Sequence, residues 1–117
     1  MRFYLIIPIL MSLMGCDSPS FKYRNVPEYQ AQAGGMTFTI RVLPDGSAQA
    51  IRTSRHAWPR YDAVTRAVRQ ATQQATGCRV VWGRGDPSVI NLGLSCRGRP
   101  APPRPDKKRA VIYFVSE

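Results

Sequence analysis

The stretch Cys78-Arg79-Val80-Val81-Trp82-Gly83-Arg84-Gly85-Asp86-Pro87-Ser88-Val89-Ile90-Asn91-Leu92-Gly93-Leu94-Ser95-Cys96 starts apolar, breaks on glycine, aspartate and proline, then alternates. Cys78 to Trp82 predicts a strand and Gly83 to Pro87 a turn. Val89 to Cys96 predicts the returning strand, with Ile90, Leu92, Leu94 and Cys96 on one face. Position 87 lies midway between the two cysteines and inside the turn. Antiparallel pairing about that centre sets Cys78 opposite Cys96, which favours a disulfide; a pair of reduced structural thiols is the alternative. The Cys-X17-Cys spacing fits no zinc or redox pattern, and the lone His56 adds no ligand set, so neither a metal nor a cofactor is expected.

Upstream, Thr37-Phe38-Thr39-Ile40-Arg41-Val42 alternates polar and apolar, the mark of a half-buried strand. Pro44-Asp45-Gly46 makes a turn, and Ala48, Ala50 and Arg52 follow on a weaker second strand. Trp58-Pro59-Arg60-Tyr61-Asp62 opens a helix, with Pro59 suited to its first turn. Tyr61, Val64, Ala67, Val68, Ala71 and Ala75 recur at helical spacing, and Gly77 is placed as the stop. This small-residue face predicts close approach to a sheet. The opposite face carries Arg66, Arg69, Gln70, Gln73 and Gln74, either simply solvated or available to a polyanion.

Downstream, residues 97–109 read RGRPAPPRPDKKR: six cations, one acid and four prolines, for a net charge of +5. Such a segment is expected to be extended and exposed. Arg97, Arg99, Arg104, Lys107, Lys108 and Arg109 are the candidate anion-binding residues, against the plainer reading of a solvated connection. Ala110-Val111-Ile112-Tyr113-Phe114-Val115 forms a last strand. The order β-β-α-β-β-β predicts an α+β fold, a small antiparallel sheet of four to five strands with one helix packed on one face.

The chain has 117 residues, enough for one domain and too few for two. Seventeen Lys and Arg stand against seven Asp and Glu, a net charge of +10. The excess implies attraction to anionic headgroups, envelope polymers or nucleic acid, or serves solubility alone. Nucleic acid is disfavoured, since the basic segment has no aromatic side chain on which a base could stack.

The first sixteen residues, MRFYLIIPILMSLMGC, place one cation, Arg2, before an uncharged apolar run from Phe3 to Met14. Twelve residues make a helix of about 18 Å against a hydrocarbon core of about 30 Å, so the run suits a secretory leader better than a span. Leu13-Met14-Gly15-Cys16 resembles the lipobox of bacterial lipoproteins, with Met14 a less usual occupant of its position. The resemblance implies a diacylglyceryl group on the Cys16 sulfur, cleavage between Gly15 and Cys16, and acylation of the new amine. It implies a signal peptide over residues 1–15, a lipidated tether over 16–35 and a single domain over 36–117. The partner it implies is the lipid bilayer, at the periplasmic face of a bacterial membrane, and Asp17 resembles an inner-membrane retention signal. Export would also favour the Cys78–Cys96 disulfide. Within 16–35, Phe21, Tyr23, Val26 and Tyr29 are more apolar than a linker needs, so part of it is expected to lie against the domain.

Little points to catalysis. Asp17, Glu28, Asp45, Asp62, Asp86, Asp106 and Glu117 form no close pair suited to acid–base work. Ser54 lies near His56, but nothing unites them with a third group. Arg84-Gly85-Asp86 spells an adhesion tripeptide that matches by chance and makes a good turn; Trp58 and Trp82 read as core anchors. The expectation is a non-catalytic, membrane-anchored binding or assembly module of the cell envelope, with anionic lipid, an envelope polymer or a protein complex as partner. The alternatives are a small enzyme acting on envelope polymers, which needs a cleft around His56, Asp62 and Asp86, and a secreted soluble binder.

Overall fold

The structure, a computed structural model, describes residues 21–55 and 60–116. Gly15, Cys16, Asp17, His56, Trp58 and Glu117 lie outside the described residues, and with them the lipobox and the first part of the tether. The elements are β1 (Glu28–Ala33), β2 (Met36–Val42), β3 (Ser47–Arg52), α1 (Tyr61–Thr76), β4 (Arg79–Gly85), β5 (Val89–Ser95) and β6 (Ile112–Val115). One sheet holds all six strands in the order β1-β2-β3-β5-β4-β6, and every neighbouring pair is antiparallel. The α+β class and the helix on one face are as expected. The strand count of four to five is corrected to six, and the order to β-β-β-α-β-β-β.

The additional strand is β1, inside the stretch expected to be tether. Glu28, Gln30 and Gln32 alternate there with Tyr29, Ala31 and Ala33, but Gln and Ala are weak strand formers. Pairing with β2 from Glu28↔Arg41 to Ala33↔Met36 imposes what propensity does not. The chain is held even earlier, because Tyr23, closing a short 3₁₀ turn over Phe21–Tyr23, is only 1% exposed.

Helix α1 ends as its sequence predicts. Gly77 takes a left-handed φ of 73°, and its N–H donates to the Gln73 carbonyl. Val64, Ala67, Val68, Ala71 and Thr72 are its buried residues. Tyr61, expected on that face, is 55% exposed at the first helical position, and Thr72 is buried in its stead.

The sheet curls around this helix. In a flat sheet, β1 and β6 would lie about 24 Å apart at 4.8 Å per strand. Yet α1 touches both edge strands. A Cβ on Gly34, beside β1, would stand 3.3 Å from Ala67, while two residues on, Arg69 stacks 5.4 Å from the Phe114 ring of β6. The concave side encloses the core, with Phe38, Ile40, Val64, Val68, Val80, Ile90, Leu92 and Leu94 fully buried. Burial on both sides follows from sheet alternation: Leu92 and Phe114 face inward, Trp82 and Asn91 outward.

Gly83, expected in the turn, and Gly93 both have a packing role. Gly83 continues β4, and the Phe114 ring lies so close that a Cβ would meet it at 2.3 Å. Gly93 in β5 seats the Trp82 indole on the convex side, where a Cβ would meet Nε1 at 2.2 Å. The turn is accordingly shorter than Gly83 to Pro87. Asp86 organises it by accepting from the Ser88 and Val89 N–H groups. The sixth strand is also shorter than expected, beginning at Ile112 after an Arg109 with φ of 62°.

Among the described residues no helix is long and apolar enough to cross a membrane.

Candidate functional site: a clamped basic strap

Residues 97–109 form no regular element, but they are not a loose loop. Their four prolines have carbonyls and no N–H, so the segment offers acceptors that its own backbone cannot satisfy. The convex face of the sheet supplies the donors. Ser95 Oγ donates to the Arg99 carbonyl at 2.7 Å, and Trp82 Nε1 to that of Pro102 at 2.9 Å. Tyr113 Oη donates to the Pro105 carbonyl at 3.2 Å. Arg84 reaches two carbonyls, Nε to Asp106 at 2.9 Å and Nη2 to Lys108. Five carbonyls are thereby gripped along the length of the segment, which lies on the sheet along β4 as a strap.

With the backbone turned inward, the cations turn out. Arg97, Arg99, Arg104, Lys107, Lys108 and Arg109 are all exposed, and none makes an ion pair with an acid among the described residues. The strap's own acid, Asp106, accepts the Lys108 N–H. The structure spreads the six along the strand direction. Arg97 and Arg99 stand beside the disulfide end of β4, and Arg104 lines a groove with Arg79 and Val115. Lys107 to Arg109 stand at the other end, where Arg84 and Gly85 hold the backbone. The six steps of β4 between these ends span about 20 Å.

Cys78 and Cys96 are joined by a disulfide, with Cα atoms 4.5 Å apart, just beyond the Arg79↔Ser95 pair. Together with Tyr29, Val42, Leu94 and the two arginines they line a cleft of about 270 Å³ at that end of the curled sheet. Asp45 also lines it. The Ser47 backbone N–H, 2.8 Å from its carboxylate, holds Asp45 below the usual carboxylate range.

Other residues singled out by sequence serve the fold. Asp62 pairs with Arg60 and Arg66 at the start of α1, and Asp86 makes the β4–β5 turn. Of Arg84-Gly85-Asp86, the first two residues therefore end β4 and the third makes the turn, and the arginine clamps the strap. On α1, Arg69 stacks on Phe114 and donates to Ser116, and Gln73 accepts the Val80 N–H. Among the described residues no group of three or more His, Cys, Asp or Glu could hold a metal ion.

A polar row across the sheet leaves no mark in the sequence. The register aligns Glu28, Arg41, Gln49, Asn91, Arg84 and Tyr113 in a single row crossing all six strands on the convex face. Glu28 and Arg41 pair at 2.6 Å and Gln49 meets Asn91 at 3.4 Å, so the row continues into the Arg84 and Tyr113 hooks. Strand alternation marked most of these as outward, but only the register puts them in line.

Where the chain enters the fold, burial pushes the Tyr23 phenol up to about 12, with the Asp45 charge adding to the effect. A phenol with a raised folded pKa contributes stability that is fully present below the unfolded value of 10 and is lost as pH rises towards 12. Urea midpoints are therefore expected to be insensitive to Tyr23 below pH 9 and to fall between pH 10 and 12. Tyr23→Phe should remove that part of the fall; an unchanged slope would contradict the assignment.

Comparison with protein-family models, with curated proteins and with solved structures finds no match to this chain.

Proposed function

We propose that this chain is a lipid-anchored, non-catalytic module of the bacterial cell envelope, attached through acylated Cys16 at the periplasmic face of its membrane. In this reading its activity is binding, and the strap is the binding surface. The observation that supports it is the strap's construction: six exposed cations, without acidic partners among the described residues, on a backbone fixed by four side chains of the sheet. A merely solvated connection has no need of such hooks. Fixing the backbone lowers the entropy lost when the cations engage an anionic partner. The charge reads as surface attraction, since exposed cations act at a range set by salt, about 8 Å at physiological ionic strength.

The anchor is tested in cells. Cys16→Ser is expected to abolish palmitate incorporation and to block the processed, membrane-bound form. Unchanged labelling and fractionation in that variant would refute the lipoprotein reading.

A further inference from the structure

The strap and the anchor constrain each other, because little chain separates them. Tyr23 is buried, seven residues after Cys16. Fully extended, those seven residues reach at most about 25 Å. Tyr29, the second residue of β1, lines the same cleft as Arg97 and Arg99. The tether therefore enters the domain beside one end of the strap.

We infer that the domain lies on its own membrane along the strap, with the strap's cations against anionic phospholipid headgroups and α1 facing away. This inference rests on the lipidation reading of Cys16. Three observations favour headgroups as the partner. First, the tether holds the strap within about one tether length of the bilayer, so even weak contacts form at high effective concentration. Second, the strap runs with the strands along the outside of a curled sheet, and a cylinder resting on a plane touches it along such a line. Third, lying flat engages all six cations, whereas standing on the disulfide end would engage Arg97 and Arg99 but leave Lys107 to Arg109 about 20 Å away. The strap exposes no large apolar side chain for insertion; among the described residues the exposed large hydrophobic ones are Tyr29, Tyr61 and Val111. The contact is thus superficial and electrostatic, and salt should release it without releasing the anchor.

Sides of the sheet set the rest of the orientation. Trp82, Arg84 and Tyr113, which grip the strap, alternate with Gly83, Ile112 and Phe114, which face the core and helix. Strap and α1 therefore lie on opposite sides, and Arg66 of α1 serves as an internal reference.

The test uses the full acylated protein in vesicles of phosphatidylcholine, with or without phosphatidylglycerol, and reads modification of arginine and lysine side chains by mass spectrometry. Arg97, Arg99, Arg104, Lys107, Lys108 and Arg109 are expected to react roughly threefold or more slowly on the anionic vesicles, with Arg66 unchanged. Salt at about 0.5 M should restore their rates while the protein stays on the vesicles. Equal rates on both vesicle types, or slowing confined to Arg97 and Arg99, would overturn the flat orientation. Slowing that appears only when a soluble anionic polysaccharide is added would assign the strap to a polymer instead. The intact mass reports the anchor separately: a Cys16 without acyl chains would refute the lipidation reading, and this inference with it.

Discussion

Replacing Cys78 and Cys96 together by alanine is expected to destabilise the domain by about 3 kcal/mol on the chain-entropy model of an 18-residue separation. For a domain of this size that corresponds to a Tm lower by roughly 12–24 °C. The position of the bridge gives the number its weight. Hairpin β4–β5 occupies the middle of the sheet, with β3 pairing on β5 and β6 on β4, so a loosened hairpin loosens four strands. Both cysteines also pack half-buried against the core, and alanine leaves that contact thinner. Cys96 immediately precedes Arg97, so the bridge fixes the root of the strap as well. Thermal unfolding of the oxidised protein, the reduced protein and the double variant should rank oxidised well above the other two, with the double variant slightly below the reduced protein. A spread under about 1 kcal/mol would mean that strand pairing alone holds this end.

The hairpin shows what sequence could and could not convey. A centre at position 87 is obeyed by Arg79↔Ser95 and Val80↔Leu94, the pairs nearest the cysteines. Beyond them a bulge at Val81 moves the register by one, so Trp82 meets Gly93 and turns outward. Alternation gives no notice of a bulge: the sequence reads Trp82 as a core anchor, and the ring is indeed buried, but on the convex side beneath the strap. The bulge is what places its indole where the strap can be caught. Elsewhere, periodicity was sufficient wherever one face is strongly apolar, as in β2, β5 and most of α1. It failed for β1, whose apolar face is Tyr-Ala-Ala, and for Gly83, where room for a ring reads the same as a turn.

The candidate site divides in the same way. Six cations among four prolines are visible as a run, and their exposure follows from their chemistry. Their restraint is not visible, because each donor that grips the strap is chosen by register. Arg84 and Asp106 are 22 residues apart, and Trp82 and Pro102 are 20 apart. An arginine inside a strand reads as a solvated side chain until the sheet order brings a row of carbonyls across it. Compositional reading therefore gives the charge of the surface, and only topology gives its stiffness.

Gly93→Val is expected to have the second large effect, about 3 kcal/mol of stability, through displacement of the Trp82 indole. The first carbon of the new side chain would stand 2.2 Å from Nε1 and 2.3 Å from Cε2, distances no relaxed contact permits. Trp82 is only 8% exposed, and its Nε1 holds the Pro102 carbonyl. Moving the ring therefore uncovers apolar area and opens the middle clasp of the strap together. A double-mutant cycle separates this from a general weakening of β5. With Trp82→Ala in place, a side chain at position 93 has no ring to strike. The two changes together should then destabilise less than the sum of each alone, by about 1 kcal/mol or more. Strict additivity would place the damage in the backbone of β5. Trypsin gives an independent reading, because prolines follow Arg99 and Arg104 and leave Arg97, Lys107, Lys108 and Arg109 as the cleavable bonds of the strap. Release of the clasp should speed cleavage there before the domain as a whole unfolds. If cleavage keeps pace with global unfolding instead, Trp82 holds the sheet and not the strap.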